Sequence, residues 1–291
     1  MPETKRTLNP RTTFWKCGAC SHAMFHLLNH EFDNEKEQEE KASDLLAGGI
    51  AQKGEQCGML WGGALALGTE SNKRYGNKDL ATAHAIEASK QLVASFENRA
   101  GSSNCRDITQ VDWENKLEMT LHMLKIVARG FIYSPCFNLI TKWTPEAIEA
   151  SEKGLSEPVD ISAPCLSCAS QVVKRMGGTE EESVMVAGFA GGLGLSGNAC
   201  GALAAAIWFK MLLWSRDHPG KTPKMMKNPD VEAIINKFLT QTDSKMLCKD
   251  IAQKTFGNIN EHTEYLKSGG CSELIETLAS LPSTPSQMSV P

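Results

Sequence analysis

The chain has 291 residues, a formal net charge of -4, an apolar fraction of 41% and ten cysteines. That length admits two domains with ordinary cores, and the mild acidity offers no clustered Lys and Arg for nucleic acid. The opening residues Met1-Pro2-Glu3-Thr4-Lys5-Arg6 lead into no apolar h-region, so a cytoplasmic chain is expected, in which many cysteines point to metal or redox chemistry instead of a disulfide framework.

In chain order, residues 1–16 read as a basic, loosely ordered lead, and a helix is expected from Cys17 through His30. The acidic run Asp33 to Glu40 reads as a solvated helix start. Met59 to Leu67 reads as a buried helix, and Asp79 to Glu97 as an amphipathic one with Leu80, Ala83, Ile86, Leu92 and Phe96 as core candidates. Trp113 to Phe131 carries Leu117, Leu121, Leu124 and Val127 at helical spacing. A linker is expected over 155–164, where Pro158 and Pro164 stand among polar residues. Thr179-Glu180-Glu181-Glu182 has capping-box spacing. Ala199 to Trp214 and Val231 to Leu239 follow as helices, and a disordered tail is expected over 282–291. Val184 to Phe209 lacks charge, but its glycines favour a buried helix-turn-helix over a membrane span. Period-2 alternation is absent, so the fold class is all-α.

The cysteines form two sets. Cys17, Cys20, Cys57, Cys105 and Cys136 are spaced by 3, 37, 48 and 31 residues; Cys165, Cys168, Cys200, Cys248 and Cys271 by 3, 32, 48 and 23. An offset of 143 carries Gly48, Gly49, Gly54, Cys57 and Gly58 onto Gly191, Gly192, Gly197, Cys200 and Gly201, and Cys105-Arg106-Asp107 onto Cys248-Lys249-Asp250. This period is domain-sized. It predicts two homologous helical halves, 17–154 and 165–281, packed as a pseudo-symmetric pair.

Cys57 and Cys200 follow glycine-bearing turns and are expected in a first helical turn, where free N–H groups and the helix dipole favour thiolate. They are the candidate attacking thiols if the chemistry is thiol redox. Gly54, Gly58, Gly197 and Gly201 would let the backbone approach a cofactor. C-x-x-C serves a redox dithiol, half a zinc site or an iron–sulfur ligand pair. Arg106 and Lys249 would lower the neighbouring thiols, or simply belong to charged helix starts. Three other patterns carry less. Gly192 to Gly197 fits G-x-G-x-x-G but follows no strand. Cys17-Gly18-Ala19-Cys20-Ser21-His22 is one residue too long for covalent haem attachment. The stripe His22, His26 and His30 reads as a half-exposed helix face.

The arrangement resembles the C_GCAxxG_C_C family of redox-active proteins, present as two tandem copies. The match runs through Cys20, Cys57, Cys105 and Cys136, then Cys168, Cys200, Cys248 and Cys271, with Cys17 and Cys165 outside the family's four. Met59 and Ala205 depart from the motif's Ala and Gly. The resemblance implies redox or metal chemistry without naming a substrate. Similar proteins include haem cytochromes with an extra iron centre, and others with selenocysteine at a cysteine position.

The leading expectation is an electron carrier holding iron–sulfur clusters or a related metal centre through those eight cysteines, four per half, with Cys17 and Cys165 as second-tier ligands. The alternatives are a metal-free thiol–disulfide oxidoreductase and a zinc-binding structural or delivery protein. The partner calls are a redox partner of unspecified identity, with a homodimer as an option, and neither nucleic acid nor membrane.

Overall fold

Asn9 opens the first helix by accepting the backbone N–H groups of Arg11 and Thr12 at 3.1 Å, and Pro10 pre-sets its first turn. This helix, α1 (Pro10–Cys17), ends at Gly18 in the left-handed conformation. A second, α2 (Cys20–Glu31), starts at once. The expected single helix from Cys17 is therefore two, and the 10–16 part of the expected lead is helical. A computed structural model describes residues 7–128, 134–161 and 164–280.

The chain continues through α3 (Glu37–Ala42), α4 (Gly58–Arg74), α5 (Lys78–Ala100), α6 (Cys105–Thr109), α7 (Lys116–Ala128) and α8 (Pro135–Ser156). The second half holds α9 (Cys168–Arg175), α10 (Glu180–Met185), α11 (Gly201–Asp217), α12 (Pro229–Gln241), α13 (Cys248–Ala252), α14 (Ile259–Lys267) and α15 (Ser272–Ala279). The capping box at Thr179 is formed: its side chain takes the Glu182 N–H, and Glu182 takes the Thr179 N–H. Val184 to Phe209 spans the end of α10, a short 3-10 turn, a loop and most of α11. No helix among the described residues is long and apolar enough to cross a membrane. The fold is all-α; the non-helical pairing among the described residues is two isolated antiparallel bridges, Gln56 with Asn104 and Ala199 with Leu247.

The halves interlock. α4 packs on α2 and α5 of its own half and on α10 of the other; α11 packs on α9 and α12 and reciprocally on α3. Trp208 donates its indole N–H to the Glu39 carbonyl at 3.1 Å, and Trp61 meets Phe189 edge-on at 4.8 Å. One buried cluster runs across both halves, with Trp61, Trp143 and Trp208 fully enclosed. Each such side chain contributes roughly 1.5–3 kcal/mol or more by leaving water. α8 carries the first half to Ser156, so the expected linker begins inside a helix.

One core expectation fails. Leu80 is on the exposed rim of α5. Leu117, Leu121, Leu124 and Val127 of α7 share a stripe as expected, but all are exposed, because helical spacing fixes a face and not what covers it. The expected helix also ran past Ala128 to residue 131, and residues 129–131, like the 282–291 tail, lie outside the described residues.

Candidate functional site

Three local devices gather the sulfurs of the first half. The first is a backbone bridge. Cys57 donates its N–H to the Ser103 carbonyl at 2.8 Å, and Cys105 donates to Glu55 at 2.7 Å. The second half repeats it: Cys200 to Met246 at 2.9 Å and Cys248 to Asn198 at 2.6 Å. A single-residue slip would break either bridge, which accounts for the conserved 48-residue spacing. Arg106 and Lys249 donate backbone N–H groups to the carbonyls of Gly54 and Gly197. These two glycines thus seat α6 and α13.

The second device is a left-handed turn. Gly48, Gly49, Ile50, Ala51 and Gln52 all have φ between 48° and 77°, and Gly191 to Leu195 repeat the run between 59° and 83°. Left-handed backbone costs an L-residue roughly 1–2 kcal/mol, so Ile50, Ala51, Gln52, Leu193 and Leu195 hold stored strain. Hydrogen bonds close the turns, from Ile50 to Leu46 at 3.1 Å and from Leu193 to Phe189 at 2.9 Å. Each turn presents its first N–H, that of Gly48 or Gly191, to a sulfur, that of Cys20 or Cys168.

The third device is the convergence of helix starts. Cys20 is the first residue of α2, and Cys57 is the N-cap residue of α4. Cys57 and Cys200 therefore stand one position before the first helical turn expected for them. Gly58 makes room for the Cys20 sulfur, and Gly201 packs against the Phe189 carbonyl.

The electrostatics single out one pair. Cys20 and Cys57 share a hydrogen bond. That bond lowers the Cys20 thiol; burial opposes it, and the N–H groups of Gly48, Ser21 and Cys20 itself assist. Cys57 is pushed well up, first by the same bond, then by burial and by the charges of Cys20, Cys105 and Cys136. Burial pushes Cys105 up to about 12, against weaker bonds from Trp113 and Thr109. The Arg106 side chain does not offset this: its guanidinium faces the Lys53 carbonyl and Asp112, each at 3.4 Å. Cys136, second residue of α8, is also raised by burial, with Cys20 and Cys105 adding.

In the second half, burial dominates. It pushes Cys168 up to about 12 and raises Cys200, Cys248 and Cys271, with the Cys271 charge adding at Cys168, Cys200 and Cys248 and the Cys168 charge adding at Cys200 and Cys248. Lys249 does not lower Cys248. Tyr265 places its hydroxyl 3.7 Å from the Cys271 sulfur. The attacking role expected at Cys57 and Cys200 thus meets raised thiols at both, at Cys57 through the bond to Cys20 and then burial, at Cys200 through burial.

Cys17 and Cys165 stand apart from both groups. Cys17 ends α1 and hydrogen-bonds His22. Although burial opposes it, the bonds from Asp44 and Cys17 raise His22 to about 10. Cys165 donates its backbone N–H to Asp79 Oδ1 at 3.1 Å, and burial raises its thiol to about 12. The histidine stripe is tied to acids: His22 to Asp44 at 3.1 Å, His26 to Glu40 at 2.8 Å and His30 to Glu35 at 3.5 Å.

A four-thiol donor set suits iron or zinc in its chemistry. As placed, however, no three or more His, Cys, Asp or Glu side chains among the described residues are grouped so as to hold a metal ion. The geometry therefore does not fit a metal centre directly.

Sequence reasoning missed Cys20 as the lowered thiol. It also missed the left-handed turns, for which the paired glycines were the available sign. It missed the aromatic cavity, of about 380 Å³, that borders Cys20, Cys105 and Cys136.

The folded halves and their repeated four-thiol groups define a duplicated, cysteine-based redox module. The family model described as "Putative redox-active protein (C_GCAxxG_C_C)" matches residues 19–144 and again 164–283, and the chain belongs to that family. Searches of curated proteins and of solved structures returned no match.

Proposed function

We propose that the protein is a thiol–disulfide redox protein whose working pair is Cys20 and Cys57. The observation that carries this reading is geometric: the starts of α2 and α4 meet so closely that a Cβ on Gly58, the residue after Cys57, would stand 2.7 Å from the Cys20 sulfur, and the two thiols shift each other in opposite directions, Cys20 down and Cys57 up. Cys20, as thiolate, attacks the oxidant. Once its charge is gone, the largest influence raising Cys57 goes with it, and Cys57 can lose its proton and attack the Cys20 sulfur. The disulfide forms with release of two electrons and two protons in all. The second half, with thiols raised by burial, is the slower or structural copy.

Trapping tests the order of attack. With a small disulfide reagent, Cys57→Ser accumulates a mixed disulfide on Cys20, whereas Cys20→Ser forms none on Cys57. The reverse pattern overturns the assignment.

A second reading, an iron–sulfur or zinc centre in each half, is favoured by the four thiols in each half whose charges bear on one another. It requires the sulfurs to draw together from their present placement. Metal and sulfide analysis of anaerobically purified protein tests it: stoichiometric metal retained by eight cysteines supports the centre, and metal-free protein with a reversible Cys20–Cys57 disulfide supports the dithiol.

A further inference from the structure

The cavity beside the first pair is walled unlike a site for a charged oxidant. Cys20, Cys105 and Cys136 lie on its surface with the rings of Phe14, Trp15, Trp113, His122 and Phe137, and among the described residues lining it none is Asp, Glu, Lys or Arg. Phe14 and Phe137 stack at 4.5 Å with planes 12° apart, and Trp113 meets His122 edge-on at 5.5 Å. Burial and Lys125 lower His122, so its ring is neutral at ordinary pH. Its volume of about 380 Å³ is that of a small-molecule site. By contrast, the cavity of about 260 Å³ at the second group reaches Cys271 among Gln241, Thr242, Ser272 and Glu273.

We propose that this cavity binds an uncharged, planar, two-electron acceptor of the quinone class, which the Cys20–Cys57 dithiol reduces. The inference rests on the dithiol reading above. Three features select the occupant. Flat conjugated rings stack on aromatic walls. The apolar, aromatic character of the described lining favours an uncharged occupant over a peptide disulfide that carries carboxylates. The Gln52 amide and the neutral His122 ring supply N–H donors for carbonyl oxygens.

The step balances. The Cys20 thiolate adds to a ring carbonyl carbon, forming a C–S bond. The Cys57 sulfur attacks Cys20, the S–S bond forms, and the C–S bond breaks with its electron pair passing to the ring. The ring oxygens take one proton from Cys57 and one from water. The products are one disulfide and one hydroquinone.

The test uses the full chain, reduced under anaerobic conditions and mixed with tetramethyl-benzoquinone, whose fully substituted ring leaves thiols no free ring position to add to. Diamide, a small azo oxidant that needs no aromatic cavity, serves as reference. The expected result is saturable hydroquinone formation matched one-to-one by the Cys20–Cys57 disulfide, ahead of any Cys168–Cys200 disulfide. Trp15 is 59% exposed, so Trp15→Ala should fold normally. It and Phe137→Ala should lower the rate at low quinone by about tenfold, the order of one lost ring contact, and leave diamide oxidation unchanged. A rate linear in quinone and indifferent to both substitutions overturns the quinone assignment alone, provided diamide still closes Cys20–Cys57. Failure of both reagents to close that bond overturns the dithiol reading together with it.

Discussion

Gly58 lies directly under the sulfur of Cys20: a Cβ added at Gly58 would stand 2.7 Å from Cys20 Sγ and 3.0 Å from the Ala47 Cα. The contact ties the start of α4 to the start of α2, so the first residue after one cysteine fixes where the other cysteine's sulfur sits. Gly201, its counterpart, approaches the Phe189 carbonyl instead.

Gly58→Ala should therefore displace the Cys20 sulfur from Cys57. Overpacking of this kind costs roughly 1–3 kcal/mol, a loss that chemical unfolding will register. The more specific effect is on chemistry: alkylation of Cys20 at neutral pH should slow by about tenfold, the consequence of losing one charge-assisted hydrogen bond. A variant with lowered stability and unchanged Cys20 reactivity contradicts the role given to this contact.

The pH dependence of Cys20 should report its partner. Cys57 donates to the Cys20 thiolate and is the largest influence lowering it. The midpoint of Cys20 alkylation against pH should thus lie below that of an ordinary thiol in the native protein and rise in Cys57→Ala. In Cys57→Ser, whose hydroxyl keeps a donor, it should return toward the native midpoint. Equal midpoints in all three proteins contradict the shared hydrogen bond.

The two halves should differ in reactivity although they share a motif. The Cys20 thiol is lowered, whereas burial pushes Cys168 up to about 12. In a limiting-alkylation experiment read by peptide mass spectrometry, Cys20 should be modified at least about tenfold faster than Cys168 near neutral pH, a difference of one pKa unit or more in thiolate population. Equal rates would remove the asymmetry.

Stability should fall on acidification through His262. Desolvation lowers this buried ring to about 4, against a weaker hydrogen bond to the Leu166 carbonyl. Its folded value lies below the ordinary 6.5, so the unfolded chain binds the extra proton. The contribution is whole above pH 6.5 and is lost as pH falls toward about 4, amounting to about 3 kcal/mol in all. Urea unfolding of the native protein and of His262→Gln should show that part of the pH slope in the first and not in the second.

Much of the fold was legible because its spacing is imposed by backbone geometry. The 48-residue interval survives in both halves since Cys57 with Cys105, and Cys200 with Cys248, are held by the same two-bond bridge. The capping box at Thr179 is a local rule and is read locally. The break between α1 and α2 at Gly18 was hidden by continuous helical patterning across it, although glycine is the commonest left-handed helix stop. The left-handed turns were hidden because only Gly48, Gly49, Gly191, Gly192 and Gly194 announce them; Ile50 and Leu193 adopt a conformation their own propensities oppose. The lowering of the Cys20 thiol was invisible because it depends first on the Cys57 thiol and then on the N–H groups aimed at one sulfur, a property of folded helix starts. The exposed stripe on α7 shows the converse limit: Leu117, Leu121 and Leu124 are patterned like a core face and have no core against them among the described residues.

Disulfide mapping across a graded series of thiol–disulfide redox buffers, with metal analysis on the same anaerobic sample, tests the central claim most directly. The account predicts that a Cys20–Cys57 bond forms first, in one two-electron step, in protein that carries no stoichiometric metal. Cys20 and Cys57 remaining free at every potential, or the bond forming only after those of the second half, would contradict it.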